Sequence, residues 1–218
     1  MVRYLVIPVT PYRQNCSLLI CEHTGKAALI DPGGEAELLL EQISVEGVEL
    51  ESILLTHGHL DHVGAAGIIS AETSVPIIGP HIDDQFWFDS LRDQSEWLGF
   101  PPIDLFLPNH WLHDGELLKV GDIDLQVLHC PGHTPGHVVF FCAAINLAIV
   151  GDVLFKGSIG RTDLPRGDHQ ALLNSIKQKL WPLGNEVKFI PGHGGMSSFG
   201  AEMRSNPFVG SSVLQPGV

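Results

Sequence analysis

Leu54-Leu55-Thr56-His57-Gly58-His59-Leu60-Asp61-His62 decides how the chain is read. His57, His59, Asp61 and His62 put four metal-competent side chains in six positions, a density that packing never asks for. The leucines read as the end of a buried strand. Gly64-Ala65-Ala66-Gly67-Ile68-Ile69 reads as the start of a helix. The turn between them carries the ligands, and rigid elements on both sides would hold it still.

Working outward, strands are expected over 3–9, 17–21 and 26–30. Ala27-Ala28-Leu29-Ile30 is a continuous apolar run, typical of a strand buried on both faces. It stops at Asp31-Pro32-Gly33-Gly34, which leaves Asp31 at the strand's C-terminal edge. A helix over 35–45, a strand over 52–55, a helix over 63–71 and a strand over 75–79 follow. This alternation is that of a layered α/β domain. Residues 80–111 carry Phe86, Trp87, Phe88, Trp97 and Phe100. They read as helical pieces capping one side of the sheet, a packing insertion ahead of a dedicated aromatic site, with room for a part of it to form one wall of the pocket. Farther on, a hairpin turns at Gly121-Asp122 between strands over 117–120 and 123–128. Strands over 137–142, 147–150 and 187–190 and a helix over 167–181 complete a second half. Residues 1–210 are expected to form a single domain, with 211–218 a frayed tail.

Three later strands share the design of the opening stretch. His129-Cys130-Pro131-Gly132-His133, Gly151-Asp152 and Pro191-Gly192-His193 each follow an apolar run and carry glycine beside the candidate ligand. Glycine lets backbone approach a crowded centre. His57, His59, His62, His133 and His193 offer imidazoles; Asp61 and Asp152 offer carboxylates. A catalytic tetrahedral zinc takes about three protein ligands, so seven suit two ions, with a carboxylate able to bridge them. His23, His81, His110, His113 and His169 lie outside this pattern and are read as ordinary histidines.

Bulk properties narrow the function. Of 218 residues, 44% are hydrophobic and 17% charged, enough for a proper core. The net charge of −13 argues against nucleic-acid and anionic-membrane partners, which need basic surface. No apolar run reaches membrane-spanning length and the first residues lack a signal-peptide pattern, so a cytoplasmic location is expected. Cys16, Cys21, Cys130 and Cys142 form no C-x-x-C pair and read as small buried hydrophobes.

With Thr56-His57-Gly58-His59-Leu60-Asp61-His62, His129-Cys130-Pro131-Gly132-His133-Thr134-Pro135-Gly136-His137, Gly151-Asp152 and Pro191-Gly192-His193 in this order, the chain resembles the metallo-β-lactamase superfamily. The resemblance implies an αβ/βα sandwich, two mixed sheets with helices outside and the metal site at one edge between them. It also implies His57, His59 and His133 on one ion, Asp61, His62 and His193 on the other, and Asp152 bridging. Asp31 would support these ligands from behind, as would His137, since such partners orient metal-bound imidazoles.

Within the superfamily the resemblance is to the short bacterial type II glyoxalases (hydroxyacylglutathione hydrolases). Gln14-Asn15-Cys16-Ser17 and the run from Gly151 to Asp163 also carry it. It implies two divalent ions, zinc first with iron or manganese as substitutes. The implied substrate is a small thioester, a glutathione conjugate. S-D-lactoylglutathione would give D-lactate and glutathione by attack of a hydroxide shared between the ions, with Asp61 and Asp152 the catalytic carboxylates. Longer glyoxalases of this type carry a C-terminal helical domain, which this chain stops too soon to hold. Their lysine and tyrosine for glutathione correspond to Arg161 and Asp163. Arg161 can take a carboxylate bidentately; Asp163 cannot replace a tyrosine hydroxyl in kind. Gly160-Arg161-Thr162-Asp163 also resembles the iron persulfide dioxygenases of the superfamily, whose single iron would use His57, His133 and Asp152. A lactonase or other small-molecule hydrolase is a further alternative, because fold does not fix chemistry.

Overall fold

The structure, a computed structural model, describes residues 1–211. Of the tail read over 211–218, only Ser211 lies among them. The first sheet has the order β1 (Val2–Val9), β2 (Gln14–Cys21), β3 (Lys26–Ile30), β4 (Glu49–Leu54), β5 (Ile77–Ile78). The β1–β2 and β2–β3 pairs are antiparallel, and the β3–β4 and β4–β5 pairs are parallel. Parallel pairs need crossovers. Helix α1 (Ala36–Glu46) supplies one, and α2 (Leu60–Val63) with α3 (Ala66–Thr73) the other. Helices α4 (Gln85–Asp89) and α5 (Leu91–Leu98) follow.

The second sheet is built from β6 (Leu117–Val120), β7 (Ile123–His129), β8 (Val138–Cys142), β9 (Leu147–Gly151), β12 (Lys188–Pro191) and β13 (Ser197–Ser198), with β13 at one edge and β6 at the other. Only the β12–β9 pair is parallel. A small ribbon, β10 (Leu154–Phe155) with β11 (Ser158–Ile159), and α6 (His169–Ser175) lie between β9 and β12; α7 (Phe199–Ser205) follows β13.

Strand alternation sorts the side chains into layers. On β2, Leu18 and Ile20 face the helices α1 and α3, whereas Leu19 and Cys21 face the other sheet. On β8, Val138, Phe140 and Cys142 point between the sheets, while Val139 and Phe141 point toward α6 and α7. The result is helix, sheet, sheet, helix: the αβ/βα sandwich that the resemblance implied.

Several boundaries differ from the expectations. The helix over 63–71 is broken: Gly64 closes α2 onto Leu60, and the Ala65 amide turns away to Pro32, before α3 begins. The helix thus starts three residues early, inside the ligand stretch, and carries Asp61 and His62. The helix over 167–181 is a normal helix only as far as Ser175; Ile176–Leu180 winds as a π-helix. Its start is set by Asp168, which accepts from the Ala171 amide at 2.9 Å. The strand over 75–79 keeps only Ile77–Ile78, since Pro76 has no amide to donate. The β10–β11 ribbon, β13 and α7 were not anticipated; α7 is capped by Ser198.

Candidate metal centre

The seven candidate ligands come from four strand-end turns and converge where the C-terminal ends of β4, β7, β9 and β12 meet. Two tight groups form. His57, His59 and His133 place one nitrogen each within 4.8 Å of one another, as Asp61, His62 and His193 place one ligand atom each. In the first group, His57 Nε2 and His133 Nε2 each lie 3.0 Å from His59 Nδ1. Asp152 touches both groups. One oxygen is 3.6 Å from His133 Nε2 and 3.7 Å from His193 Nε2, and the other is 3.4 Å from His62 Nε2. Asp61 lies 3.3 Å from His193 Nε2 and 4.0 Å from His62 Nε2.

The outer nitrogens of these rings are already committed. His133 Nδ1 donates to the Arg161 carbonyl at 2.8 Å. His193 Nδ1 donates to the Tyr12 carbonyl at 3.2 Å. Asp31 is buried behind the centre. It accepts from the Thr56 amide and hydroxyl at 2.7 and 2.6 Å and from His62 Nδ1 at 3.0 Å. The Thr56 hydroxyl, its proton given to Asp31, accepts from His57 Nδ1 at 3.0 Å. These bonds leave Nε2 of His57 and His133 as lone pairs pointing inward and turn Nε2 of His62 and His193 toward the carboxylates of Asp152 and Asp61. His137 accepts the Asp152 amide at 3.0 Å and stacks on the His57 ring at 4.7 Å.

Metal ions fit this arrangement. Two inward lone pairs face one His59 nitrogen, and a single proton there satisfies only one of them. His62 Nε2 and Asp152 Oδ1, 3.4 Å apart, are both buried without a well-formed hydrogen bond. Buried polar atoms are rarely left so. A tetrahedral ion ~2.0–2.1 Å from each nitrogen spaces the nitrogens ~3.3 Å apart, close to the separation seen. Burial holds His57, His59 and His137 well below the usual imidazole range, and neighbouring imidazoles add to it. Burial lowers His133 as well, against the pull of Asp152. Neutral imidazole is the form that binds metal. Burial opposes charge on His62 and His193 too, but Asp152 and Asp61 outweigh it and raise both. Burial also works against the Asp152 carboxylate, yet His62, His133 and His193 hold it strongly ionised.

Glycine is required at two points. A Cβ on Gly192 would sit 2.0 Å from the Asp152 carboxylate. Gly151 has φ +48°, and its Cβ would meet Thr56 and His137 at 2.6 and 2.7 Å.

Other sequence candidates sit elsewhere or act differently. Arg161 and Asp163 pair with each other at the exposed rim, Nε to Oδ1 at 2.7 Å and a second nitrogen to Oδ2 at 2.8 Å. Hydrogen bonding to Arg161 pulls the Asp163 carboxyl down to about 2. The contact of Arg161 with the centre is through its carbonyl, on His133. Cys130 is fully buried, and burial pushes its thiol far up, so it is chemically inert. His81, Asp83 and His129 also cluster, and one ring nitrogen of each histidine is engaged in a hydrogen bond. His81 Nδ1 accepts the Asp83 amide at 3.3 Å, His129 Nε2 donates to Pro135, and the two rings stack at 4.3 Å.

Some supporting residues escaped the sequence reading. Asn15 holds the His193 turn, donating to the carbonyls of Pro191 and Gly194 at 2.9 Å each. The aromatic insertion does more than pack. Gln94 of α5 accepts the Leu60 amide at 2.9 Å, Trp87 of α4 stands edge-on to the His59 ring at 4.4 Å, and Asp84 lies buried beside the first ligand turn. Burial pushes the Asp84 carboxyl up to about 7, against the pull of its hydrogen-bond donors. Nothing in the periodicity of 80–111 distinguishes these polar residues from solvent-facing ones. An apolar cleft of about 790 Å³ opens on the far side of α2, lined by Leu60, Ile68, Phe100 and Phe106 among others; none of the seven candidate ligands lines it.

The model of the metallo-beta-lactamase superfamily matches residues 9–193. The chain is 49% identical over 207 residues to the hydroxyacylglutathione hydrolase GloC of Haemophilus influenzae, covering 94% of this chain and 97% of that protein. Among solved structures, the BLEG-1 B3 metallo-beta-lactamase superposes with a TM-score of 0.88 at 36% identity, over 95% of this chain and 99% of that one. TTHA1623, in a di-iron-bound form, superposes with a TM-score of 0.85, also at 36% identity, over 94% and 99%.

Proposed function

The chain belongs to the metallo-beta-lactamase superfamily, and on that premise we propose that it is a thioester hydrolase of the glyoxalase II kind, acting on S-D-lactoylglutathione in the cytoplasm. The observation that carries this reading is the convergence of His57 Nε2 and His133 Nε2 on His59 Nδ1, at 3.0 Å each, with His62 Nε2 and Asp152 Oδ1 buried beside them without hydrogen-bond partners. The substrate class rests on the likeness to the GloC hydrolase, 49% identical across nearly both chains.

In this reading His57, His59 and His133 hold one divalent ion and Asp61, His62 and His193 a second, with Asp152 shared. Bound there, such ions make water a nucleophile near neutral pH and polarise a carbonyl oxygen. The protein's part is to keep the site rigid and correctly protonated. Asp31 and Thr56 fix the His57 and His62 rings, Arg161 O fixes His133, and Tyr12 O fixes His193. Such partners set ring orientation and tautomer. Asp61, the more exposed of the two central carboxylates, orients the attacking water. A thiolate leaves readily, so no side chain is needed to protonate it. At the rim, a substrate carboxylate takes the Arg161 guanidinium in exchange for Asp163.

Zinc is the first assignment; the di-iron form of a 36% identical relative favours iron as the second. One paired assay on metal-quantified protein tests the function: hydrolysis of S-D-lactoylglutathione against oxygen uptake with glutathione persulfide. Hydrolysis with two ions per chain is expected. Oxygen uptake with one iron per chain would replace the hydrolase by a dioxygenase.

A further inference from the structure

The two turns that supply the first ligand group belong to different sheets. His57 and His59 follow β4 in the first sheet, and His133 lies between β7 and β8 in the second. Something must hold them at the separation at which their nitrogens meet. Asp84 lies between these turns, at the end of the 3₁₀ turn Ile82–Asp84, and is fully buried. One carboxylate oxygen accepts the Gly58 amide at 2.9 Å and the Thr134 hydroxyl at 2.8 Å; the other accepts the Gly136 amide at 2.6 Å. Gly58 stands between His57 and His59; Thr134 follows His133. The fit is close on the backbone side also. A Cβ on Gly136 would lie 2.5 Å from the Asp84 amide nitrogen, and His81 N donates to Gly136 O at 3.0 Å.

We propose that Asp84 is a positioning residue of the metal centre, a buried carboxylate that ties the His57–His59 turn to the His133 turn and so sets the spacing of the first ligand group. This rests on reading His57, His59 and His133 as ligands of one ion. A carboxylate suits the place because both amides facing it can only donate. An amide side chain there must turn its own NH2 toward one of them, which breaks a link while keeping the shape.

The test compares wild type with Asp84→Asn, Thr134→Val, Thr134→Ser and His59→Ala. Each protein is stripped of metal and titrated with Co2+ against a chromophoric chelator, and the Co2+ d–d absorption is recorded. Circular dichroism and melting of the stripped proteins report the fold. Asp84→Asn is expected to fold but to bind Co2+ about ten- to a hundredfold more weakly at one site, with a shifted d–d band. Thr134→Val shifts both in the same direction and Thr134→Ser restores them. Wild-type affinity and band in Asp84→Asn overturn the proposal. If Asp84→Asn does not fold, the threonine pair decides: a valine variant equal to wild type overturns it, and loss in valine with recovery in serine supports it. Full Co2+ binding by His59→Ala overturns the ligand reading itself. Loss of an ion in His59→Ala with none of these effects in Asp84→Asn overturns only the role of Asp84.

Discussion

At Asp152 the two ligand groups meet, and its oxygens reach His62, His133 and His193 from one carboxylate. Replacing it with alanine removes the shared anion and leaves three imidazoles facing one another. Asp152→Ala is expected to lower hydrolysis more than about a hundredfold, with one or both ions lost by elemental analysis and the circular dichroism spectrum kept. Normal turnover with a full metal complement would end this scheme. Arg161 is the opposite case: its guanidinium is exposed and, among the described residues, paired with Asp163 alone. Arg161→Ala keeps the carbonyl on His133, so it should raise KM several-fold while kcat stays within about twofold, as for lost ground-state binding. Steady-state kinetics separates the two parameters.

Turns at strand ends are the working elements of the molecule. Each candidate-ligand stretch was legible as an apolar run stopping at glycine beside histidine or aspartate, because strand burial and metal-competent side chains both leave local marks. Their supports were not legible. Asn15 at the start of β2 holds a turn 176 residues away in sequence, and no local pattern records such a pairing. Asn15→Ala leaves the carbonyls of Pro191 and Gly194 without this donor. The expected cost is about 1–3 kcal/mol, read as a lower urea midpoint, together with weaker metal retention on the His193 side. Helix starts show the same limit. Periodicity suggested a helix from 63, but winding begins at Leu60, where the need to present Asp61 and His62 overrides the small-residue run that follows.

At the scale of the whole molecule, two sheets pack through a shared apolar layer and a few polar links. Phe140 is fully buried in that layer, and Phe140→Ala should cost about 3–5 kcal/mol by denaturant titration. Glu51 is one of the polar links. Extending from β4, it pairs with Lys26 and accepts the Gly121 amide, in the β6–β7 turn of the other sheet, at 2.7 Å. Its hydrogen bond to Lys26 above all holds its carboxyl below the usual glutamate range, with Gly121 adding to this against burial. A carboxyl with a depressed folded value stabilises above its unfolded value of about 4.3. That contribution is lost as pH falls through the folded value. Urea midpoints of wild type should therefore exceed those of Glu51→Gln near neutral pH and converge with them below pH ~4; parallel curves would exclude the link.

The sequence by itself determined the layered α/β class, the superfamily and the candidate metal-binding residues, because strand periodicity, glycine turns and a histidine-aspartate cluster are all local. Only the tertiary structure decided how Thr56–His62 works. The stretch brings two candidate ligands to each group and depends on β7, β9 and β12 for the rest. It is held by Asp31 from one sheet and by Asp84 and Gln94 from the insertion between the sheets. Arg161 and Asp163, read as substrate contacts from their place in the motif, are paired with each other at the rim, and the Arg161 carbonyl lies on His133. Long-range hydrogen bonds between buried polar groups carry no sequence period, so they become visible only when distant strand ends are brought to one point.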